Sequence, residues 1–368
     1  MAPVLLRAPR PLLPVPSAAP VRTRRPALVP VVLVAGALAL TGCSTGAAGG
    51  EAAESSAAGG ATGEFPRTVQ HVYGETTIEE APERVATVSW VNHDVATALG
   101  VVPVGMPSTD FGANGSGSTD WFDAALAESG AEAPQTYSET DGIDYEAIAA
   151  LEPDVILGAY SGLTREEYDK LSEIAPVVAY PEDAVAYGTS WQDSTELIGE
   201  ALGREEKAQE VVADVEQQIE DTAAQHPELE GTSFVYGTID PAAADQIYAY
   251  TEVDNRPKLL GALGMVQSEA VTRAAEGKEG EFAITWSPEK ADALTSDVFV
   301  SWAADEGVRE DIEKDPLLSR IPAVANGGLV LQTDAQEVLS VSAASPLSIP
   351  WALENVVPEI AEAARAAK

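Results

Sequence analysis

The chain has 368 residues, 45% of them apolar and 6% aromatic, and carries 59 acidic against 21 basic side chains for a net charge of −38. So acidic a surface excludes nucleic acid and a polybasic grip on anionic lipid, and it opposes long-range capture of a highly anionic ligand. A single cysteine excludes internal disulfides, so any exported domain must rest on its apolar core.

The first feature in chain order is a positive cluster, Arg22, Arg24 and Arg25, followed by an apolar run from Ala27 to Leu40. That run is too short to span a bilayer as a helix. It ends in Leu40-Thr41-Gly42-Cys43, the layout of a lipoprotein leader, with Cys43 expected as the lipidation site and residues 1–42 as a signal peptide. Cleavage there removes Arg7, Arg10, Arg22, Arg24 and Arg25 and no acid, which takes the net charge from −38 to −43. Residues 43–64 contain almost no bulky apolar side chain and are expected to form a disordered tether. The mature protein is therefore expected on the extracytoplasmic face of the cell membrane, of Gram-positive type, held by lipid alone.

Residues 65–188 read as an N-terminal lobe. Strands are expected at Val85–Val88, Val101–Val104, Val155–Leu157 and Val177–Ala179, with helices at Asp94–Leu99, Tyr145–Leu151 and Arg165–Ile174 between them. Residues 189–226 read as connecting helices. Apolar residues at Ala208, Val211, Val212, Val215 and Ile219 mark an amphipathic helix from Glu205 to about Ala224, roughly 30 Å long at 1.5 Å per residue and able to bridge two lobes. Residues 227–345 resume the rhythm as a C-terminal lobe, with strands at Ser233–Tyr236, Val298–Val300 and Leu329–Leu331 and a helix at Lys258–Leu263. Residues 346–368 close the chain as one helix, centred on Trp351 to Ala367.

The halves echo each other. Glu146, Leu151 and Asp154 recur at the same offsets as Glu289, Leu294 and Asp297, and Ala98-Leu99-Gly100 recurs as Ala262-Leu263-Gly264. Two similar α/β lobes facing each other enclose a cleft.

Ligands of open α/β sheets bind beyond the carboxyl ends of the strands. Trp90, Tyr160, Tyr180, Tyr236 and Trp302 each fall at such an end, which points to an aromatic-lined cleft for a bulky, partly apolar ligand. Asn92 and His93, just after Trp90, add polar groups there; His93 reads as a cleft or helix-start histidine rather than a metal ligand. Residues 65–368 contain no Gly-x-Ser-x-Gly elbow, and His71, His93 and His226 are the only histidines of the chain, so neither a hydrolase nor a zinc site is expected.

Several pieces resemble the periplasmic-binding-protein family that serves ABC importers of iron-siderophores, haem and cobalamin. They are Arg84-Val85-Ala86-Thr87 with Trp90, Asp141 to Ile148, Leu151-Glu152-Pro153-Asp154-Val155-Ile156, Leu171 to Pro176, Leu202-Gly203-Arg204 and Leu259 to Gly264. The resemblance implies an α/β fold of two Rossmann-like lobes joined by a single long α-helix, with the ligand cleft between the lobes and limited closure on binding. It implies a monomeric, non-enzymatic protein without cofactor that binds a ferric siderophore, its iron held by the chelate. Haem or cobalamin binding, or a lipid-anchored sensor or adhesin, is the alternative. The charge favours a hydroxamate or mixed chelate over a trianionic catecholate. By the same resemblance Arg256 contacts the metal-bound oxygens of the ligand, and Glu146 and Glu289 pair with arginines of an ABC permease dimer that works with its ATPase.

Overall fold

The computed structural model describes residues 63–243 and 246–367. The expected signal peptide, Cys43 and all of the expected tether but Gly63 and Glu64 lie outside the described residues. Among the described residues no helix is long and apolar enough to cross a membrane.

A two-stranded hairpin, β1 (Arg67–His71) and β2 (Gly74–Ile78), precedes the first sheet. That sheet contains β3 (Val85–Thr87), β4 (Gly105–Pro107), β5 (Gln135–Tyr137), β6 (Val155–Leu157) and β7 (Val177–Val178), all parallel in the order β5-β4-β3-β6-β7. Its central strands are buried on both faces, which is why they read as continuous apolar runs. Val85, Val155 and Leu157 face the helices Asn92–Ala98 and Trp191–Leu202, whereas Ala86 and Ile156 face Tyr145–Ala150 and Arg165–Ser172.

The second sheet contains β8 (Ser233–Thr238), β9 (Ile247–Tyr250), β10 (Val266–Gln267), β11 (Ala283–Trp286), β12 (Val298–Trp302) and β13 (Leu329–Gln332). Its order is β11-β9-β8-β12-β13, with β10 pairing beside β8. The strands β8, β10, β12 and β13 are parallel, and β9 runs antiparallel to both of its neighbours, β8 and β11, so this lobe is mixed where a simple βαβ rhythm was expected.

The helix Glu205–Gln225 joins the two sheets. Ala208 and Val211 pack into the core around the first sheet, and Val215, Ile219 and Ala223 pack into the core around the second, so one rigid rod is anchored at both ends. The preceding helix, Trp191–Leu202, belongs to the first lobe through Ile198, Ala201 and Leu202.

Two expected elements differ. Pairing expected at Val101–Val104 begins only where the Val104 N–H meets the Val85 carbonyl at 2.8 Å, and the strand proper is Gly105–Pro107. The closing helix is two helices, Ser348–Asn355 and Val357–Ala366, broken at Val356 where Pro358 starts a new first turn that needs no N–H from it. Both pack against the second sheet through Ile349, Leu353 and Ile360.

The internal echo has a structural counterpart. Asp154, just ahead of β6, accepts the backbone N–H groups of Glu83 (2.8 Å) and Arg84 (2.9 Å) at the start of the neighbouring β3. Asp297, just ahead of β12, accepts the Ser233 N–H (2.8 Å) and hydroxyl (2.6 Å) at the start of the neighbouring β8. Leu151 and Leu294 are both buried, and Gly100 and Gly264 both end a helix at positive φ, 81° and 89°.

A candidate ligand-binding cleft between the lobes

Most of the cleft wall comes from loops that follow strands of the first sheet. Ser89 and Val91 follow β3, Asp110 and Phe111 follow β4, Glu139 follows β5 and Tyr187 comes after β7; Arg256 and the helix Ala335–Ser342 complete it from the second lobe. The enclosed volume is about 550 Å³.

The backbone around Trp90 is strained. Ser89, Val91 and Tyr187 have φ of 62°, 57° and 60°, and all three line the cleft. A β-branched residue such as Val91 seldom adopts this region and persists there only when its surroundings hold it. Asn92 supplies that hold. It is fully buried; its Nδ2 reaches the carbonyls of Val88 (2.8 Å), Trp90 (2.9 Å) and Tyr160 (3.0 Å), and its Oδ1 accepts the Tyr160 N–H (3.0 Å). With its amide engaged in this way Asn92 braces the Trp90 loop rather than lining the cleft, which corrects the expectation of a direct polar contact. Trp90 itself is presented 56% exposed, its ring 6.1 Å from that of Tyr187.

Beneath the cleft lies a buried polar node. Asp94 Oδ2 accepts the Trp121 indole N–H at 2.9 Å and, from the second lobe, the Ser345 hydroxyl at 2.7 Å. His93 Nε2 stands 3.4 Å from Asp94 Oδ1. Burial pushes the Asp94 carboxyl up, opposed by His93 and the two hydrogen bonds; burial lowers the His93 imidazole, opposed by Asp94. Met106, Trp121 and Phe122 pack nearby against Leu339, Leu347 and Trp351, so apolar and polar contacts together tie the lobes.

Arg256 is positioned by two neighbours. Asp254 caps the helix Asn255–Ala262 by accepting the Arg256 N–H at 2.9 Å, and its two oxygens take Arg256 Nε (2.7 Å) and Nη2 (2.5 Å) in a fork. The guanidinium lies 3.5 Å from the Tyr250 ring centroid. Burial acts to lower its pKa, but the Asp254 carboxylate prevails and the group is held above its ordinary value. The third guanidinium nitrogen, Nη1, lies outside that fork.

The remaining expected residues divide. Trp302, the last residue of β12, is exposed and sets its ring against that of Phe111 from the other lobe, 6.3 Å apart. Tyr160 is buried below the cleft, its hydroxyl 3.5 Å from Asn255 Nδ2. Tyr236 and Tyr180 do not line it: Tyr236 is a buried core residue whose hydroxyl donates to Gln332, and Tyr180 packs edge-on against Tyr73. Sequence reasoning missed Phe111, Glu139 and Tyr187. Phe111 and Glu139 follow β4 and β5, so correct placement of those strands was the signal that would have found them. Among the described residues no group of three or more His, Cys, Asp and Glu is arranged to hold a metal ion.

Residues 85–335 match the periplasmic binding protein family. The chain belongs to that family. A relative, the probable siderophore-binding lipoprotein YfiY of Bacillus subtilis, is 31% identical over 158 residues, 42% of this chain and 44% of that protein, so the match spans less than half of it. The Fe(3+)-citrate-binding protein YfmC of the same organism is 24% identical over 298 residues, 80% of this chain and 85% of that one. Among solved periplasmic binding proteins, PiaA of Streptococcus pneumoniae in complex with ferrichrome superposes with a TM-score of 0.76 at 34% identity, covering 82% of this chain and 99% of that one. The family assignment agrees with two lobes, a single connecting helix and a cleft between them.

Proposed function

We propose that this protein captures a ferric siderophore, of hydroxamate or mixed type, outside the cytoplasm and delivers it to an ABC importer. The observation that carries the reading is the cleft itself, in which Trp90, Phe111 and Tyr187 offer aromatic surface and Arg256 offers a positioned guanidinium edge. Its likeness to ferrichrome-bound PiaA over nearly all of that chain supports the same ligand class. A ferric trihydroxamate is neutral at the metal, which suits a cleft whose Arg256 is already balanced by Asp254; a trianionic catecholate would meet the field of a strongly acidic protein. The task is recognition, with the iron held by the chelate and no bond made or broken by the protein.

The anchor is part of the proposal. Cys43 is the acyl acceptor, residues 1–42 the leader, and the Glu146 and Glu289 carboxylates meet the two halves of the permease. Cys43→Ser should release the protein to the medium or leave it unprocessed; a processed form that still fractionates with membranes would remove the anchor from the proposal. The ligand is tested by tryptophan-fluorescence titration with a panel of ferric hydroxamates, ferric catecholates, haem and cobalamin. Quenching by hydroxamates at the lowest concentrations is expected. Tight binding of haem or cobalamin with no response to any ferric chelate would overturn the reading, and no response to any of them would favour a sensor or adhesin.

A further inference from the structure

Glu139 has no part in the reading above, yet it lines the same cleft. Its Oε2 accepts the Ser89 N–H at 2.9 Å, whereas Oε1 is closed off from solvent and has no hydrogen-bond partner among the described residues. A buried acceptor without a donor is a standing penalty that a donor relieves. No cationic side chain of the first lobe lines the cleft beside it. Among the cleft-lining residues the first lobe contributes no Lys or Arg, and the one guanidinium, Arg256 of the second lobe, is forked onto Asp254. Asp110, on the same wall, already accepts the hydroxyls of Ser108 (3.2 Å) and Thr140 (2.6 Å). The wall of the first lobe thus carries the carboxyl groups of Asp110 and Glu139, and its side-chain donors include the neutral groups of Ser89, Trp90, Thr109 and Tyr187 but no Lys or Arg.

We infer that Glu139 sets which chelate the cleft prefers, its carboxylate attracting an ammonium group on the ligand periphery. A ferric chelate that bears a protonated amine is then bound ahead of its neutral counterpart. The inference rests on the siderophore reading of the cleft and narrows it to chelates with a cationic arm. Burial, which pushes the Glu139 carboxyl up to about 7, leaves it ready to be recharged by such a donor. The titratable groups that face it are Tyr137 on β5, Tyr145 and Glu167 on the two helices behind the sheet, and Tyr187 on the loop after β7.

The test compares two probes, a linear ferric trihydroxamate with a terminal primary amine and the same chelate N-acetylated, titrated by tryptophan quenching. The wild-type protein should bind the amine at least tenfold more tightly. Glu139→Gln should abolish that preference, the ratio of the two affinities falling to about one whatever the change common to both probes. The preference of the wild-type protein should also shrink as pH falls from 8 to 5, a readout that needs no variant. Equal binding of the two probes by the wild-type protein, a preference that survives in Glu139→Gln, or a preference flat with pH would overturn the inference while leaving the siderophore reading standing. Failure of both probes to bind the wild-type protein would overturn the hydroxamate reading and this inference with it.

Discussion

Phe111, from the loop after β4, and Trp302, at the end of β12, meet edge to face with ring centroids 6.3 Å apart, one ring from each lobe. Both are more than 40% exposed. Two large aromatic side chains held in contact while half in water contribute little to the fold, and we propose that they cover the ligand. Truncating either to Ala should lower folding stability by under about 1 kcal/mol, since neither is a core residue. Ligand binding should weaken more, and the double mutant should show a coupling of about 0.5–1.5 kcal/mol, as for an interacting aromatic pair. Additive losses in a binding cycle would mean that the two rings act independently.

Arg256 serves the fold and the ligand together, and a double substitution separates the two. Arg256→Ala strands the Asp254 carboxylate, which is only 5% exposed. Breaking a buried pair by removing one partner destabilises by about 3–5 kcal/mol. Asp254→Ser removes the stranded charge while keeping a hydroxyl to cap the helix Asn255–Ala262. The pair Asp254→Ser with Arg256→Ala is therefore expected to recover most of the stability lost by Arg256→Ala in urea unfolding, yet none of the lost affinity. Recovered binding in the double variant would show that Arg256 is structural only.

Much of this architecture was legible because the central strands of both sheets are buried on two faces. Val85–Thr87, Val155–Leu157 and Val298–Val300 are apolar runs that hardly admit another reading. β4 was misplaced because Gly105-Met106-Pro107 has the composition of a turn, whereas the preceding valines look like a strand. The same few-residue uncertainty decided the site. β8 runs on to Thr238, so Tyr236 lies within the strand and faces the core; β12 ends at Trp302, so that ring emerges at the edge. Asn92 looked like a ligand contact because it follows Trp90, but the left-handed backbone at Ser89 and Val91 turns its amide inward, and nothing in the local sequence announces that turn.

Glu139 should leave a mark on stability as a function of pH. Its carboxyl lies at about 7 in the folded protein against a reference of 4.5, so the native state binds this proton more tightly than the unfolded chain does. The stability it contributes is present below about 4.5 and is lost as pH rises through 7. Glu139→Gln cancels the loss: the variant should match the wild-type protein near pH 4 and exceed it in melting temperature near pH 8. Glu337, also pushed up to about 7 by burial and by Glu359, titrates with the same sign in both proteins and drops out of the difference. A difference curve that is flat or of opposite slope would place the Glu139 carboxyl in its ordinary range.

Glu146 and Glu289 provide the last test, that of delivery. The elements after them correspond, Leu151 with Leu294 in the two cores and Asp154 with Asp297 tying the neighbouring strands, and the two glutamates precede them at the same sequence offset. Their immediate settings differ. Glu146 is in the first turn of the α-helix Tyr145–Ala150, capped by the Asp144 side chain, which accepts the Ala147 N–H at 3.0 Å; Glu289 is in the 3₁₀ turn Pro288–Ala293, opened by proline. Both side chains belong to exposed residues, and an acid in a helix's first turn contributes only about 0.3–1 kcal/mol to the fold. Reversing both charges, Glu146→Lys with Glu289→Lys, should therefore leave thermal stability and chelate affinity nearly unchanged. Uptake by cells that depend on this protein should be abolished, because rim charges govern encounter with the partner rather than the cleft. Each single reversal should give an intermediate rate, and the residual uptake should fall further at low salt, where repulsion between the introduced lysine and permease arginines is least screened. Normal transport by the double variant would return both residues to the role of helix-start acids.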